Sequence, residues 1–348
     1  MILSDQPTQS TIEIPVWNYA YGGPGSLGTI KSKPADFIVE EQLPFEPEGA
    51  GEHVFLQIQK CGENTDYVAR MLARFAAVRQ RDVSYAGIKD RHAKTVQWFS
   101  VWLPGKDDPD WNKLETENIK ICQVMRHARK LKRGVLSGND FQITIRQWEG
   151  NGEAMESQLL QIKEQGFPNY FGVQRFGHQG KNVSKALTMF QGEKVKREQR
   201  SIYLSAVRSY FFNQLLAKRI SLGNWNQAVS GDVCVFDCSN SFFSTDQIDD
   251  SITQRVKTGV IHPAGLLFGQ QDSETKNEAW NIEQDIFHTN LPLTKGLIEY
   301  GMTSGRRAFR VFPTKFEWEF LPEMKVVLKF SLPAGSYATS LLRELVII

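Results

Sequence analysis

The sequence predicts a mixed α+β protein built mainly on antiparallel sheet, and three observations predict it. Short stretches of alternating apolar and polar residues recur through roughly the first 165 positions. Single helix-period segments interrupt them without the strand–helix–strand rhythm of a parallel sheet. From about Gly166 the pattern becomes helical, and strand patterning returns only near the C-terminus. A chain of 348 residues has room for two cores of ordinary size. The expected organisation is a sheet domain formed by residues 1–165 and 313–348, with residues 166–312 inserted as a second domain.

Taken in order, Glu52 to Lys60 alternates with Val54, Leu56 and Ile58 on one side, as a half-buried strand does. Asn64 can cap a helix whose apolar positions Val68, Met71, Leu72 and Phe75 share one face and cover the sheet. Val83 to Ala86 and Gln97 to Leu103 are expected strands flanking a polar turn from Gly87 to Lys94. Ile119 to Met125 and Phe141 to Ile145 are two more, separated by a basic run and by Ser137-Gly-Asn-Asp140, which is turn-rich. In the helical part, Ser205 to Ile220 carries Val207, Tyr210, Phe211, Gln214 and Leu215, and Asp232 to Phe236 is a short strand. His262-Pro-Ala-Gly265 is expected to be a turn. Lys315 to Phe320 and Glu323 to Phe330 are strands, and a helix with Leu341, Leu342 and Leu345 closes the chain.

Hydrophobic residues make up 41% and charged residues 23%, an ordinary globular composition. Met1 to Ser10 carries no secretory pattern, and no run approaches the roughly 18 apolar residues of a membrane span. The expected setting is the cytoplasm, with no membrane partner. Cys61, Cys122, Cys234 and Cys238 are too scattered for a disulfide framework. Cys234 and Cys238 have no second pair at zinc-site spacing, so buried thiols and no metal are expected. The net charge is only +2, yet basic residues cluster. One cluster holds Lys120, Arg126, Arg129, Lys130, Lys132 and Arg133; a second holds Lys194, Lys196, Arg197 and Arg200; a third holds Arg306, Arg307 and Arg310. Surface patches of one sign suit a polyanion such as RNA, whose phosphates attract them.

The densest reactive stretch is Tyr85-Ala-Gly-Ile-Lys-Asp-Arg-His-Ala-Lys-Thr-Val-Gln97, which puts Lys89, Asp90, Arg91 and His92 in a turn between two strands. By itself it permits a carboxylate acting as nucleophile or base, an Asp/His metal pair, or a solvated loop. Gly87-Ile-Lys-Asp-Arg-His-Ala93, however, resembles the signature of TruD-type pseudouridine synthases. Four further segments are similar to that family in the same order. They are Lys33-Pro-Ala-Asp-Phe-Ile-Val-Glu-Glu41, His127 to Gly134 with Leu136-Ser-Gly-Asn-Asp-Phe141, Pro168-Asn-Tyr-Phe-Gly-Val-Gln-Arg-Phe-Gly177, and Leu332 to Glu344.

The resemblance implies a pseudouridine synthase catalytic domain with an inserted α/β TRUD domain. It implies the isomerisation of uridine 13 in the tRNA D-arm, without a cofactor. It assigns the catalytic carboxylate to Asp90 and substrate contacts to Phe37, Asn139 and Tyr337. Tyr337 stands where family members often carry Phe, so its hydroxyl needs a partner if buried. An ionised Asp90 needs a nearby cation, and Lys31 is the expected partner. Lys89 and Arg91 are expected to touch phosphate, and His92 to support the structure or contact RNA. Arg343 and Glu344 can pair in support of the site, and a monomer is expected. Two other readings stay open: a non-catalytic tRNA-binding chaperone, and a metal-dependent phosphodiesterase using Asp90 and His92.

Overall fold

The protein, analysed as a computed structural model, is described over residues 12–237, 239, 241–271 and 273–348. The N-terminal segment Met1 to Ser10 and Cys238 lie outside the described residues. The chain forms two compact units, one of residues 24–156, 313–335 and 346–348, the other of residues up to 23 with 157–312 and 336–345. Mixed α+β structure with mainly antiparallel sheet results, with eight α-helices among the described residues.

The first unit is organised by a nine-stranded sheet. Its path runs from Thr314–Leu321 through Lys325–Pro333, Gly138–Gly150, Phe37–Gln42, Lys94–Trp102 and His53–Cys61 to Ile119–His127. Ser26–Thr29 pairs with Gly138–Gly150, and Val83–Tyr85 pairs with Lys94–Trp102. Every pairing is antiparallel except that of Phe37–Gln42 with Lys94–Trp102. Alternation places Val54, Leu56 and Ile58 against the helix Thr65–Phe75, which buries Val68, Ala69, Leu72 and Ala73. Met71 and Phe75 sit at the margin of that core. Asn64 occupies the N-cap position, but its side chain makes no capping hydrogen bond. On the opposite face Phe55 and Trp98 pack with Leu131, so the basic segment itself contributes to the core.

Two turn-like sequences are strand. Gly138–Asp140 opens the 13-residue strand Gly138–Gly150. The glycine is required by close approach: a Cβ at 138 would stand 2.4 Å from the carbonyl oxygen of Leu332. Ile261–Leu267, containing His262-Pro-Ala-Gly265, is a buried strand. It pairs with Val233–Phe236 through Pro263 and with Gly305–Ala308 from Ala264 onward, so the proline falls where the ladder changes partner. Gly265 lies under the ring of Phe309, 2.5 Å from where a Cβ would be. Turn composition here reflects tight packing, not chain reversal.

The second unit is built on the 25-residue helix Arg197–Ser221, whose Val207, Phe211, Phe212, Leu215 and Leu216 are fully buried. Around it lie the helices Lys181–Phe190, Asn277–His288 and Leu291–Glu299 and a four-stranded sheet. Cys234 is buried in the strand Val233–Phe236, and burial pushes its thiol up to about 12. No helix among the described residues is long and apolar enough to cross a membrane.

Candidate active site

Asp90 lies in the turn between Val83–Tyr85 and Lys94–Trp102. That turn is held at several points. Thr65 accepts a hydrogen bond from the Lys89 backbone N–H at 3.1 Å and donates to Gln97 at 3.0 Å, while Gln97 donates to the Gly87 carbonyl at 2.5 Å. Arg91 Nε donates to the Gly62 carbonyl at 3.0 Å, leaving an otherwise exposed side chain. Beneath the turn the fully buried Lys60 donates to the carbonyls of Glu63 at 2.9 Å and Asp90 at 3.4 Å. Burial lowers the Lys60 pKa, against the opposing charges of Asp90 and Glu41.

The Asp90 carboxylate is held from both ends. Oδ1 accepts from the backbone N–H of His92 at 2.9 Å, and Oδ2 pairs with the Lys31 ammonium. Burial would push this carboxyl up, but the Lys31 hydrogen bond, the His92 N–H and the charges of both residues outweigh it. The group is held below its ordinary value. Lys31 reaches it from a backbone with φ of +58°, a conformation that costs a non-glycine residue on the order of 1 kcal/mol. The Asp90 side chain keeps 39% of its surface exposed, so a ligand can reach it. An open pair of this kind contributes little to stability. Its consequence is electrostatic: a poised, charged, accessible carboxylate.

Lys31 also brings Phe37 into the group, its ammonium standing 4.5 Å from the ring centroid. Phe37 is 6% exposed and meets Phe141 edge-on with centroids 6.3 Å apart. Its approach is fixed by Asp36, which is buried and receives a bidentate hydrogen bond from Arg146 at 2.7–2.9 Å. Arg146 holds the Asp36 carboxyl below the ordinary range.

Asn139 stands opposite Glu41 in the sheet register, and Lys89 joins them. The Lys89 ammonium donates to Asn139 Oδ1 and lies 3.3 Å from Glu41 Oε1. Glu41 is buried and accepts from the Trp98 backbone N–H at 2.8 Å. Burial raises the Glu41 pKa against the pull of Lys89. Lys89 is thus turned inward, with 12% of its side chain exposed, rather than held out for phosphate. Asp90, Lys31, Phe37, Asn139 and Lys89 are therefore brought together within one unit, with the exposed His92 and Arg91 beside them.

Tyr337 belongs to the other unit, where it meets Phe171 edge-on at 6.1 Å and its hydroxyl accepts from Arg175 at 2.8 Å. Arg307 lies over the Phe171 ring at 4.1 Å. Nearby in the chain, Arg343 and Glu344 pair at 2.9 Å, and Glu344 accepts from the backbone N–H of Ala20 at 2.8 Å.

Matches to known proteins span the whole of this arrangement. The sequence profile of tRNA pseudouridine synthase D (TruD) covers residues 13–193 and 178–345. The chain belongs to the TruD family. It is 48% identical over 329 residues to tRNA pseudouridine synthase D of Methylococcus capsulatus, covering 94% of this chain and 93% of that one. It is 41% identical to the protein of the same name from Hydrogenovibrio crunogenus, covering 94% and 95%. The crystal structure of a candidate tRNA pseudouridine synthase D (TruD) from Methanosarcina mazei matches with a TM-score of 0.75 at 25% identity, covering 95% of this chain and 96% of that one. Membership makes the chain a pseudouridine synthase, an isomerase.

Within this TruD chain the basic clusters differ in kind. Lys194, Lys196, Arg197 and Arg200 are exposed at the start of the long helix. In the first cluster Arg126 pairs with Asp108 at 2.6 Å, and Arg133 lies 3.8 Å from the Tyr85 ring centroid. The third cluster is not a surface patch. Arg306 pairs with Glu283 at 2.9 Å and Glu274 at 3.0 Å, Arg310 is 3% exposed, and Arg307 packs on Phe171. Those guanidiniums are engaged by Glu283, Glu274, carbonyls and rings, so they are unsuited to phosphate.

Two site residues had a sequence signal that motif reading passed over. Lys60 continues the Val54, Leu56, Ile58 side of its strand, and Glu41 continues the Phe37, Val39 side. A charge on the apolar side of an alternating strand marks a buried charge that needs partners.

Proposed function

We propose that this chain converts uridine 13 in the D-arm of tRNA to pseudouridine, with Asp90 as the carboxylate acting on a flipped-out base. The reaction breaks the N1–C1′ bond and joins C5 to C1′, with no net redox change. Attack at C6, attack at C1′ and removal of the C2′ proton all need an ionised carboxylate within reach. The observation that carries the proposal is the Lys31–Asp90–His92 arrangement: a carboxylate held charged yet open to a ligand. Phe37 and Asn139 lie around it through Lys31 and Lys89, and we assign them to the base. Phe37 is largely packed, so it offers the base a restricted area rather than an open platform. Tyr337 is assigned as an RNA-stacking ring of the other unit, its hydroxyl satisfied by Arg175. Arg91, His92 and the exposed Lys194, Lys196 and Arg197 are assigned to the RNA backbone. The enzyme acts in this proposal as a cytoplasmic monomer.

A uracil inside structured RNA must leave its stack before a carboxylate can reach it, which is why the site needs contacts to the base as well as to phosphate. The test is to treat tRNA from cells lacking this protein with the pure chain and map pseudouridine. Conversion at position 13 alone is expected. Conversion elsewhere with position 13 untouched would overturn the assignment.

A further inference from the structure

We propose that Lys89 is a positioning residue that makes this site select uracil over cytosine, by fixing which end of the Asn139 amide faces the base. The inference rests on the reading of Asn139 as a base contact. An ammonium has donors and no acceptor, so the Asn139 atom that meets Lys89 is the amide oxygen, whichever way the amide would otherwise turn. Glu41, buried across the sheet register from Asn139, holds the ammonium 3.3 Å away, and the Trp98 N–H anchors Glu41 in turn at 2.8 Å. With Oδ1 occupied, Asn139 presents its Nδ2 donors. Uracil offers an acceptor at its 4-oxo group, where cytosine carries an amino donor. A donor fixed opposite position 4 therefore suits uracil and meets a donor on cytosine. An amide free to flip could serve both.

Lys89 thus acts through Asn139, and its sequence position next to Asp90 ties the selecting group to the reacting one. Glu41 is the anchor of the device. Its own charge never needs to touch RNA.

The test is made in full-length chain carrying Asp90→Asn, so that RNA is bound and not turned over. Dissociation constants are measured for tRNA transcripts with uridine or cytidine at the target position. The parent is expected to prefer uridine by about tenfold, the discrimination of one well-placed hydrogen-bonding contact. Glu41→Gln with Lys89→Met removes both buried charges together, which avoids stranding one of them, and is expected to bring the two constants to near equality. Lys89→Arg keeps a donor-only cation and is expected to keep the preference. Asn139→Asp is nearly isosteric and presents an acceptor in place of the donor, so its preference is expected to turn toward cytidine. Retention of the uridine preference in the double variant or in Asn139→Asp, while Asn139→Ala loses it, would overturn the role of Lys89. Retention in Asn139→Ala as well would instead overturn Asn139 as a base contact. A parent that binds both transcripts equally would overturn selection at this site.

Discussion

At Asp90 two effects of opposite sign set the charge, and the balance belongs to Lys31. Burial favours the neutral acid, while the ammonium and the His92 N–H favour the carboxylate and prevail. The folded value is therefore lowered, so the charge is present through the neutral range and lost only as pH falls through that lowered value. Lys31→Met removes the strongest stabilising partner and leaves burial far less strongly opposed. The acid limb of kcat/KM is expected to move to higher pH in that variant, with the alkaline limb little changed. An unmoved acid limb would mean that the ion pair does not set the catalytic charge. The need for a cation, though not which residue supplies it, was legible in the sequence, because an aspartate expected to react in a partly desolvated turn needs one. The left-handed backbone that delivers Lys31 was not, since no local pattern forces a lysine to a φ of +58°.

Among the elements, strand parity explains both what could be read and what was passed over. The strand around Val54 was visible from alternation, those around Val83, Gln97, Ile119 and Phe141 as short runs flanking polar turns, and the helix after Asn64 from its apolar stripe. Ser137-Gly-Asn-Asp140 and His262-Pro-Ala-Gly265 have turn composition, since glycine and proline usually interrupt strands; here they answer contacts with Leu332, Phe309 and a change of ladder partner, which are distant in sequence. The Arg146–Asp36 pair is likewise long-range and positions the start of the Phe37–Gln42 strand. Removing only the cation leaves a buried carboxylate unpaired. Arg146→Ala is expected to destabilise the fold, read as a lower midpoint in denaturant. Arg146→Ala with Asp36→Asn should recover part of that loss. A single variant as stable as the parent would show that Asp36 finds another partner.

Across the whole molecule, the clustered positive charge divides into groups that face solvent and groups that hold the fold. Lys194→Ala, Lys196→Ala and Arg197→Ala together leave the core untouched, and if all three meet phosphate the slope of log affinity against log salt is expected to shrink by about 2.5. An unchanged slope would place RNA elsewhere. Arg306→Ala is expected to act differently, lowering stability by leaving Glu283 unpaired in the interior. Sequence alone could not separate these clusters, because a run of arginines has the same appearance whether its partners are solvent or acids brought in from other elements. Membership of the TruD family extends over nearly the entire chain, and the chemistry proposed for it rests on one oxygen pair, that of Asp90. Its most direct test is single-turnover conversion of full-length tRNA by Asp90→Asn beside the parent, with tRNA affinity measured on the same preparations. The expected result is affinity within about twofold and a rate at least about a thousandfold lower, the scale of losing the reacting carboxylate. Conversion at the parental rate by Asp90→Asn would show that this carboxylate does not carry the reaction.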